Sequence, residues 1–131
     1  GMMRIGRWDG NQWNALGTGI TGSVTRVNCM AVYNGELYIG GEFGFANGQP
    51  APYIVKWNGS NFVNVGSGAD AYVSAMYVDT AQNKLYISGA LSTIDGVSLC
   101  PRGVSFCVRQ CAVKGLSEPT ITRTSYHSVK R

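Results

Sequence analysis

The feature that most constrains how this chain folds is an internal repeat. Residues 8–19 read WDGNQWNALGTG, and residues 57–68, which begin 49 positions later, read WNGSNFVNVGSG. When residues 4–19 are aligned with 53–68, five of the sixteen positions are identical, against roughly one expected from average residue usage. The identical pairs are Ile5/Ile54, Trp8/Trp57, Gly10/Gly59, Gly17/Gly66 and Gly19/Gly68. Such a match predicts a chain built from repeated structural units.

A second sequence motif recurs at nearly the same spacing. Residues 37–41 (LYIGG) become 85–89 (LYISG), and Asn47-Gly48 becomes Asp95-Gly96, both 48 positions later. A period near 50 is the length of a kelch-type propeller blade. The 18 glycines and the low charged fraction of 14% also favour strands and tight turns over helices.

Turn dipeptides place the strands. Asp9-Gly10, Asn34-Gly35 and Asn58-Gly59 each lie between short apolar runs, which is typical of β-hairpins because such turns need positive φ. The four strands within 27–65 are expected to form one antiparallel meander. The predicted strands are 3–8, 13–16, 27–33, 37–42, 52–57, 62–65, 73–78, 84–88 and 102–106.

These strands predict an all-β chain of antiparallel four-stranded β-propeller blades, about two to three of them, in an incomplete propeller. Residues 2–106 are assigned to the repeats. The segment 107–131 has no alternation and no turn dipeptide, and it is predicted to be a degenerate or disordered tail. Residues 37–39 are apolar on both faces, as in a strand covered on both sides. Tyr53, Val55 and Trp57 are expected to share one face by the period of two.

The motifs W-D-G-x-x-W-x-x-L-G-x-G and L-Y-I-G-G, followed by N-G, resemble the propeller repeats of extracellular bacterial proteins. Those repeats are related in appearance to kelch and galactose-oxidase-like propellers. The resemblance covers about residues 4–98. It implies an extracellular or cell-surface location for the parent protein, although no apolar run in this chain reaches the length of a signal peptide or a membrane span.

The glycine-rich motif and the cysteines could suggest a cofactor or metal site, but each has a simpler structural interpretation. Residues 17–22 (GTGITG) match the dinucleotide fingerprint, but a β-branched run follows where a helix is needed. The glycines are therefore assigned to a loop of the repeat, and no cofactor is expected. No metal site is expected either, because the cysteines lack the paired spacing of zinc ligands. Cys29 is expected to be a small core residue. The other candidate metal ligands are Cys100, Cys107, Cys111 and His127. In an oxidising compartment two of these three cysteines could instead form a disulfide.

Charge and titratable residues argue against catalysis and nucleic-acid binding. The net charge is +4, but the basic residues crowd the C-terminal part, as in a solvated tail. The seven acidic residues are scattered. We therefore predict no catalytic residues and a non-catalytic recognition or scaffold module that binds protein or glycan. The alternative is part of a propeller enzyme, a hydrolase or oxidase, whose catalytic residues lie outside this chain.

Repeated aromatic residues are the candidates for ligand binding. They could stack on sugar rings, but aromatics that recur at one position of a repeat are usually packing residues. These candidates are Trp8, Trp13, Tyr38, Trp57 and Tyr86.

An incomplete propeller also predicts association. Two or three blades would leave two apolar blade faces exposed to solvent. The free-energy cost of this exposure is large compared with the free energy of unfolding of a small domain. The residues expected to line these faces are Leu37, Ile39, Val55 and Leu85. We therefore expect self-association through blade faces, or further blades of a longer parent chain, and no insertion into a membrane.

Overall fold

The structure, a computed structural model, describes residues 3–98, 110–115 and 122–123. Every regular element within these ranges is a strand, which confirms the prediction of an all-β chain for the described part. In chain order the strands are β1 (Gly6–Trp8), β2 (Trp13–Ala15), β3 (Ile20–Thr21), β4 (Arg26–Tyr33), β5 (Glu36–Glu42), β6 (Phe45–Ala46), β7 (Gln49–Pro50), β8 (Ile54–Trp57), β9 (Phe62–Asn64), β10 (Val73–Asp79), β11 (Lys84–Gly89), β12 (Thr93–Ile94), β13 (Val97–Ser98), β14 (Gln110–Gly115) and β15 (Thr122–Arg123).

The first large sheet has the order β4-β5-β8-β9 with every pair antiparallel. This confirms the predicted meander, with the short hairpin β6–β7 inserted between β5 and β8. Asn34-Gly35 forms the predicted two-residue turn, with φ values of 57° and 79°. Strand β8 begins later than predicted because Tyr53 has a φ of 65°, which breaks the extended conformation.

The second large sheet has the order β10-β11-β14-β15, also antiparallel. Its first two strands repeat β4 and β5: Tyr77 pairs with Tyr86 where Ala31 pairs with Tyr38. Strands β14 and β15 complete the sheet from within 107–131, the segment predicted to be a tail. The predicted strand 102–106 lies outside the described residues. The boundary at residue 106 therefore stays a prediction.

Small sheets repeat as well. Strand β3 pairs with β6, and β6 with β7; in the second unit β12 pairs with β13, and an isolated bridge joins Ala69 to Ile94 in place of β3. The hairpin β1–β2 corresponds to β8–β9, with Trp8 opposite Trp13 as Trp57 is opposite Phe62.

Two hydrophobic cores lie on opposite faces of the first large sheet, because neighbouring residues of a strand point to opposite sides. The first core joins the two large sheets; the second joins the first large sheet to the small sheets. Core one contains Tyr33, Tyr38, Ile54, Val65, Ala69, Val73, Leu85, Ile87, Leu91 and Ile94. Core two contains Ile5, Leu16, Ile20, Ile39, Phe43, Ala46, Ala51 and Val55.

The cores correct two expectations. The residues expected to line wet faces are covered within the chain: Ile39, Val55 and Leu85 are at most 1% exposed, and Leu37 is half-buried. That expectation was wrong because the small sheets cover one face of the first large sheet and the second large sheet covers the other. The second corrected expectation is that Tyr53, Val55 and Trp57 share one face. Tyr53 packs against core one, whereas Val55 lies in core two and Trp57 packs against core two. The positive φ of Tyr53 breaks the alternation of the strand.

Candidate functional site

The hairpin β1–β2 displays two indole rings to solvent. Trp8 ends β1, Trp13 begins β2, and the two residues are directly paired across the strands. Their ring centroids are 5.5 Å apart and the ring planes are inclined by 59°. Trp8 is 52% exposed and Trp13 is 59% exposed. The rings therefore form an angled apolar surface at the end of a short, closed hairpin.

Asp9 fixes the loop between the two tryptophans. Its Oδ1 accepts hydrogen bonds from the backbone N–H groups of Asn11 and Gln12, both at 2.8 Å, and its Oδ2 accepts one from Asn14 Nδ2 at 2.7 Å. These hydrogen bonds hold the pKa of Asp9 below its ordinary value, and the bond from the Gln12 N–H group has the largest effect. The loop spans residues 9–12, between strand ends that match the predicted strands 3–8 and 13–16, with Gly10 at the expected positive φ of 102°.

The second copy of this hairpin has the same local structure in different surroundings. Asn58 Oδ1 accepts hydrogen bonds from the N–H groups of Ser60 and Asn61 at 2.9 and 2.8 Å, as Asp9 does in the first copy. The rings of Trp57 and Phe62 lie 4.9 Å apart. These two rings, however, are half-buried and pack against core two. Trp57 is thus a packing residue, whereas its equivalent Trp8 is displayed.

The two tyrosine candidates differ from each other. Tyr38 is 1% exposed in core one, where its ring lies 6.0 Å from that of Tyr33 and 5.7 Å from Lys56 Nζ. Burial raises the pKa of Tyr38. Tyr86 is half-buried, and its ring lies 6.3 Å from that of Tyr77, which is 66% exposed. Sequence reasoning missed Tyr77 because the equivalent residue of the first unit is Ala31, so the repeat gave no signal for an aromatic residue there.

The shifted charged groups serve the fold. Burial opposes the charge of Lys56, but the hydrogen bond from its Nζ to Glu36 Oε1 at 2.9 Å and the nearby Tyr38 leave its pKa raised. Burial likewise opposes the ionised form of Asp70. Hydrogen bonds from the Ser92 hydroxyl and the backbone N–H groups of Thr93 and Ser92 outweigh it and lower the pKa of Asp70.

Among the cysteine candidates, Cys29 is the one whose side-chain surroundings the structure describes. Cys29 is half-buried against core one, and burial raises the pKa of its thiol to about 11, so it is protonated at neutral pH. The described residues contain no group of three His, Cys, Asp or Glu side chains placed to hold a metal ion. Cys100, Cys107 and His127 lie outside the described residues, and Cys111 lies in β14.

The dinucleotide-like glycines are loop residues. Gly17, Gly19 and Gly22 have φ values of 56°, 91° and 155°. The element after them is strand β4, whereas pyrophosphate binding by this motif needs a helix N-terminus. Gly19 N donates to Leu16 O at 3.0 Å, and the equivalent Gly68 N donates to Val65 O at 3.0 Å. The glycines thus shape the link between one hairpin and the next sheet.

No protein-family model matches this chain, and no curated protein or solved structure matches it at a significant level. The resemblance to propeller repeats therefore stays a prediction from the sequence. In the part of the chain that the structure describes, no helix has the length and apolar character needed to cross a membrane.

Proposed function

We propose that this chain is a non-catalytic recognition and scaffold module of the propeller type, from an extracellular or cell-surface protein. In this proposal each large sheet is one blade, and the chain carries two to three blades of an incomplete propeller. Support comes from the two large sheets, whose first two strands have equivalent registers and which share core one. Repetition of one four-stranded unit is how propellers are built.

The ligand that we propose is a glycan, bound by the Trp8–Trp13 pair. The observation that carries this proposal is the contrast between the two hairpins: one aromatic pair packs in core two, while the other is more than half exposed. An exposed indole offers a large, rigid apolar face with a polar N–H at its edge. The apolar C–H face of a sugar ring can lie on one indole while the second, inclined by 59°, forms a side wall.

Polar groups beside the pair suit a hydroxylated ligand. Asp9, Asn11, Gln12 and Asn14 surround the hairpin loop, and all except the half-buried Asn14 are exposed. Asp9 accepts three hydrogen bonds from residues of this hairpin, so the loop is ordered before any ligand binds. A site that is ordered in advance loses less conformational entropy on binding.

A non-catalytic role agrees with how the acidic side chains are used among the residues that the structure describes. Asp9, Asp70, Asp79 and Asp95 each accept hydrogen bonds from backbone N–H groups of their own or a neighbouring loop. Glu36 and Glu42 form ion pairs with Lys56 and Arg26. Each of these groups therefore has a defined structural task.

The test is a titration of the protein with neutral oligosaccharides, namely cello-, chito- and xylohexaose, followed by tryptophan fluorescence and calorimetry. We expect saturable binding of at least one of them. Trp8→Ala and Trp13→Ala should each weaken that binding by about tenfold or more, which corresponds to ~1.4 kcal/mol. Tyr72→Ala, at a 42% exposed aromatic outside the hairpin, is the matched control and should bind as the original chain does. No response to any of the three sugars, or unchanged binding by both tryptophan variants, would overturn the glycan proposal.

A further inference from the structure

The contact between the two large sheets defines two complementary faces. The tyrosine face of the first large sheet carries Cys29, Ala31, Tyr33 and Tyr38, all in or against core one. It packs on the methionine face of the second large sheet, formed by Val73, Met76, Val78, Leu85 and Ile87. The fit is close at Gly40, where a Cβ would lie 2.6 Å from Val73 Cγ1 and 2.9 Å from Met76 Cε.

The first large sheet carries its own methionine face on its other side. Met30 pairs with Ile39 and Val32 with Leu37, just as Met76 pairs with Ile87 and Val78 with Leu85 in the second large sheet. The four residue types are therefore the same. Ile39 is buried under the small sheets, but Met30 is 54% and Val32 is 66% exposed. Their equivalents Met76 and Val78 pack against core one.

The second large sheet carries a second tyrosine face. Tyr77 and Tyr86 are directly paired and lie on the side opposite to Leu85 and Ile87, with 6.3 Å between the ring centroids. In the first large sheet the Tyr33 and Tyr38 rings, 6.0 Å apart, are 1% exposed under the neighbouring sheet. Tyr77 is 66% exposed.

We propose that copies of this chain associate head to tail, with the Tyr77/Tyr86 face of one copy on the Met30/Val32 face of the next. The contact between the large sheets is the template, since the chain already joins a tyrosine face to a methionine face. In the second tyrosine face Tyr77 stands where Ala31 stands, and Asp79 stands where Tyr33 stands. Exposed faces of this kind gain stability when they are removed from water. Two different faces make a heterologous interface, which continues into a stack or closes into a ring. Two copies contribute four large sheets, the smallest number of blades usual in a closed propeller.

One departure from the template gives a sharp test. Ser88 stands where Gly40 stands in the first unit, and Val27 where Val73 stands in the second. A side chain at that position meets the facing valine at 2.6 Å in the template. The contact between copies is therefore looser than the contact within the chain. Ser88→Gly should tighten it severalfold.

The experiment is sedimentation velocity of the full chain from about 1 to 200 µM. We expect the mass to rise with concentration above that of a monomer. Met30→Asp and Tyr77→Asp should each abolish the rise, because a charge at either face is left unpaired on burial. Val24→Asp, at a 52% exposed residue outside the strands, is the control and should associate normally. Circular dichroism checks that each variant is folded, and Val32→Asp replaces Met30→Asp if that variant is not.

A mixture distinguishes head-to-tail contacts from contacts between identical faces. Met30→Asp keeps an intact tyrosine face and Tyr77→Asp an intact methionine face, so an equimolar mixture should give a heterodimer although each variant alone is monomeric. A monomeric original chain, association that survives in either variant, or a monomeric mixture would each overturn the proposal. The substitutions lie outside the Trp8–Trp13 hairpin, so failure here leaves the oligosaccharide titration unaffected, and the reverse also holds.

Discussion

Gly40 is a residue at which the backbone of the first large sheet meets side chains of the second. A Cβ there would lie 2.6 Å from Val73 Cγ1 and 2.9 Å from Met76 Cε. Gly40→Ala should therefore destabilise the chain by ~1–3 kcal/mol through overpacking, measured by urea unfolding. Gly44→Ala is the control, since no heavy atom lies within 4 Å of its Cβ position and its φ is not positive. Equal effects of the two substitutions would contradict the close contact between the sheets.

Asp70 makes stability depend on acid pH. Its pKa is lowered in the folded state by hydrogen bonds from the Ser92 hydroxyl and the N–H groups of Thr93 and Ser92, which together outweigh burial. A lowered pKa stabilises the fold above the carboxyl's unfolded value near 4, and this stabilisation is lost as pH falls through the folded value. The stability difference between the original chain and Asp70→Asn should therefore shrink between pH 7 and pH 3. A difference that stays constant with pH would contradict this role.

Asn47 and Asp95 show what the sequence predicts at the scale of single residues. The repeat predicted that these two residues are equivalent, and both have positive φ, 53° and 51°. It could not predict their task. Asn47 Oδ1 accepts from Thr18 N at 2.9 Å and Asp95 Oδ1 from Ser67 N at 3.2 Å. Each donor lies 28 or 29 residues earlier in the chain, a distance at which local patterns carry no information.

Among the elements, the loop of hairpin β8–β9 depends on glycine for a backbone reason alone. Gly59 has a φ of 105°, and its Cβ position is open. Gly59→Val should destabilise by about 1 kcal/mol or more, because a β-branched residue is strained at positive φ. Asn61→Val, an exposed change in the same loop, should have a smaller effect on the thermal midpoint. Unchanged stability of Gly59→Val would show that the loop relaxes to another conformation.

Strands marked by apolar patterns and turn dipeptides could be predicted from the sequence. The two-residue strands β3, β6 and β7 could not, and the six-residue strand β14 falls in the segment predicted to be a tail. Strands β4, β5, β10 and β11 have six to eight residues each, enough for apolar patterns and turn dipeptides to mark them. Strands β3, β6 and β7 have two residues each, too few to show a period. Their pairing depends on tertiary position: Ile20 faces Ala46, 26 residues away. Alternation also could not show that Tyr53 interrupts strand β8 with its φ of 65°.

At the scale of the whole molecule, the sequence predicted sheets covered on both sides but placed the open faces wrongly. Residues 37–39 are apolar on both faces, and two cores do lie on the two sides of strand β5. On the edge strands β4 and β10 of the two large sheets, the exposed large apolar residues are instead Met30, Val32 and Tyr77. Composition alone cannot distinguish these residues from the equivalent Met76 and Val78, because their exposure depends on which sheet lies opposite. The Trp8 and Trp57 rings differ for the same reason.

The two repeat units stack face to face within one chain, through core one. The most direct measurement is a nuclear Overhauser spectrum of the labelled protein, recorded where sedimentation shows monomer. We predict strong cross-peaks from the Gly40 α-protons to the Val73 γ-methyl and Met76 ε-methyl groups, because a Cβ on Gly40 would lie within 2.9 Å of carbons of both side chains. Cross-peaks between the paired strands β4 and β5 serve as the internal control. A spectrum with those strand contacts but without the contacts from Gly40 would contradict this stacking, since the two sheets would then fold without touching each other.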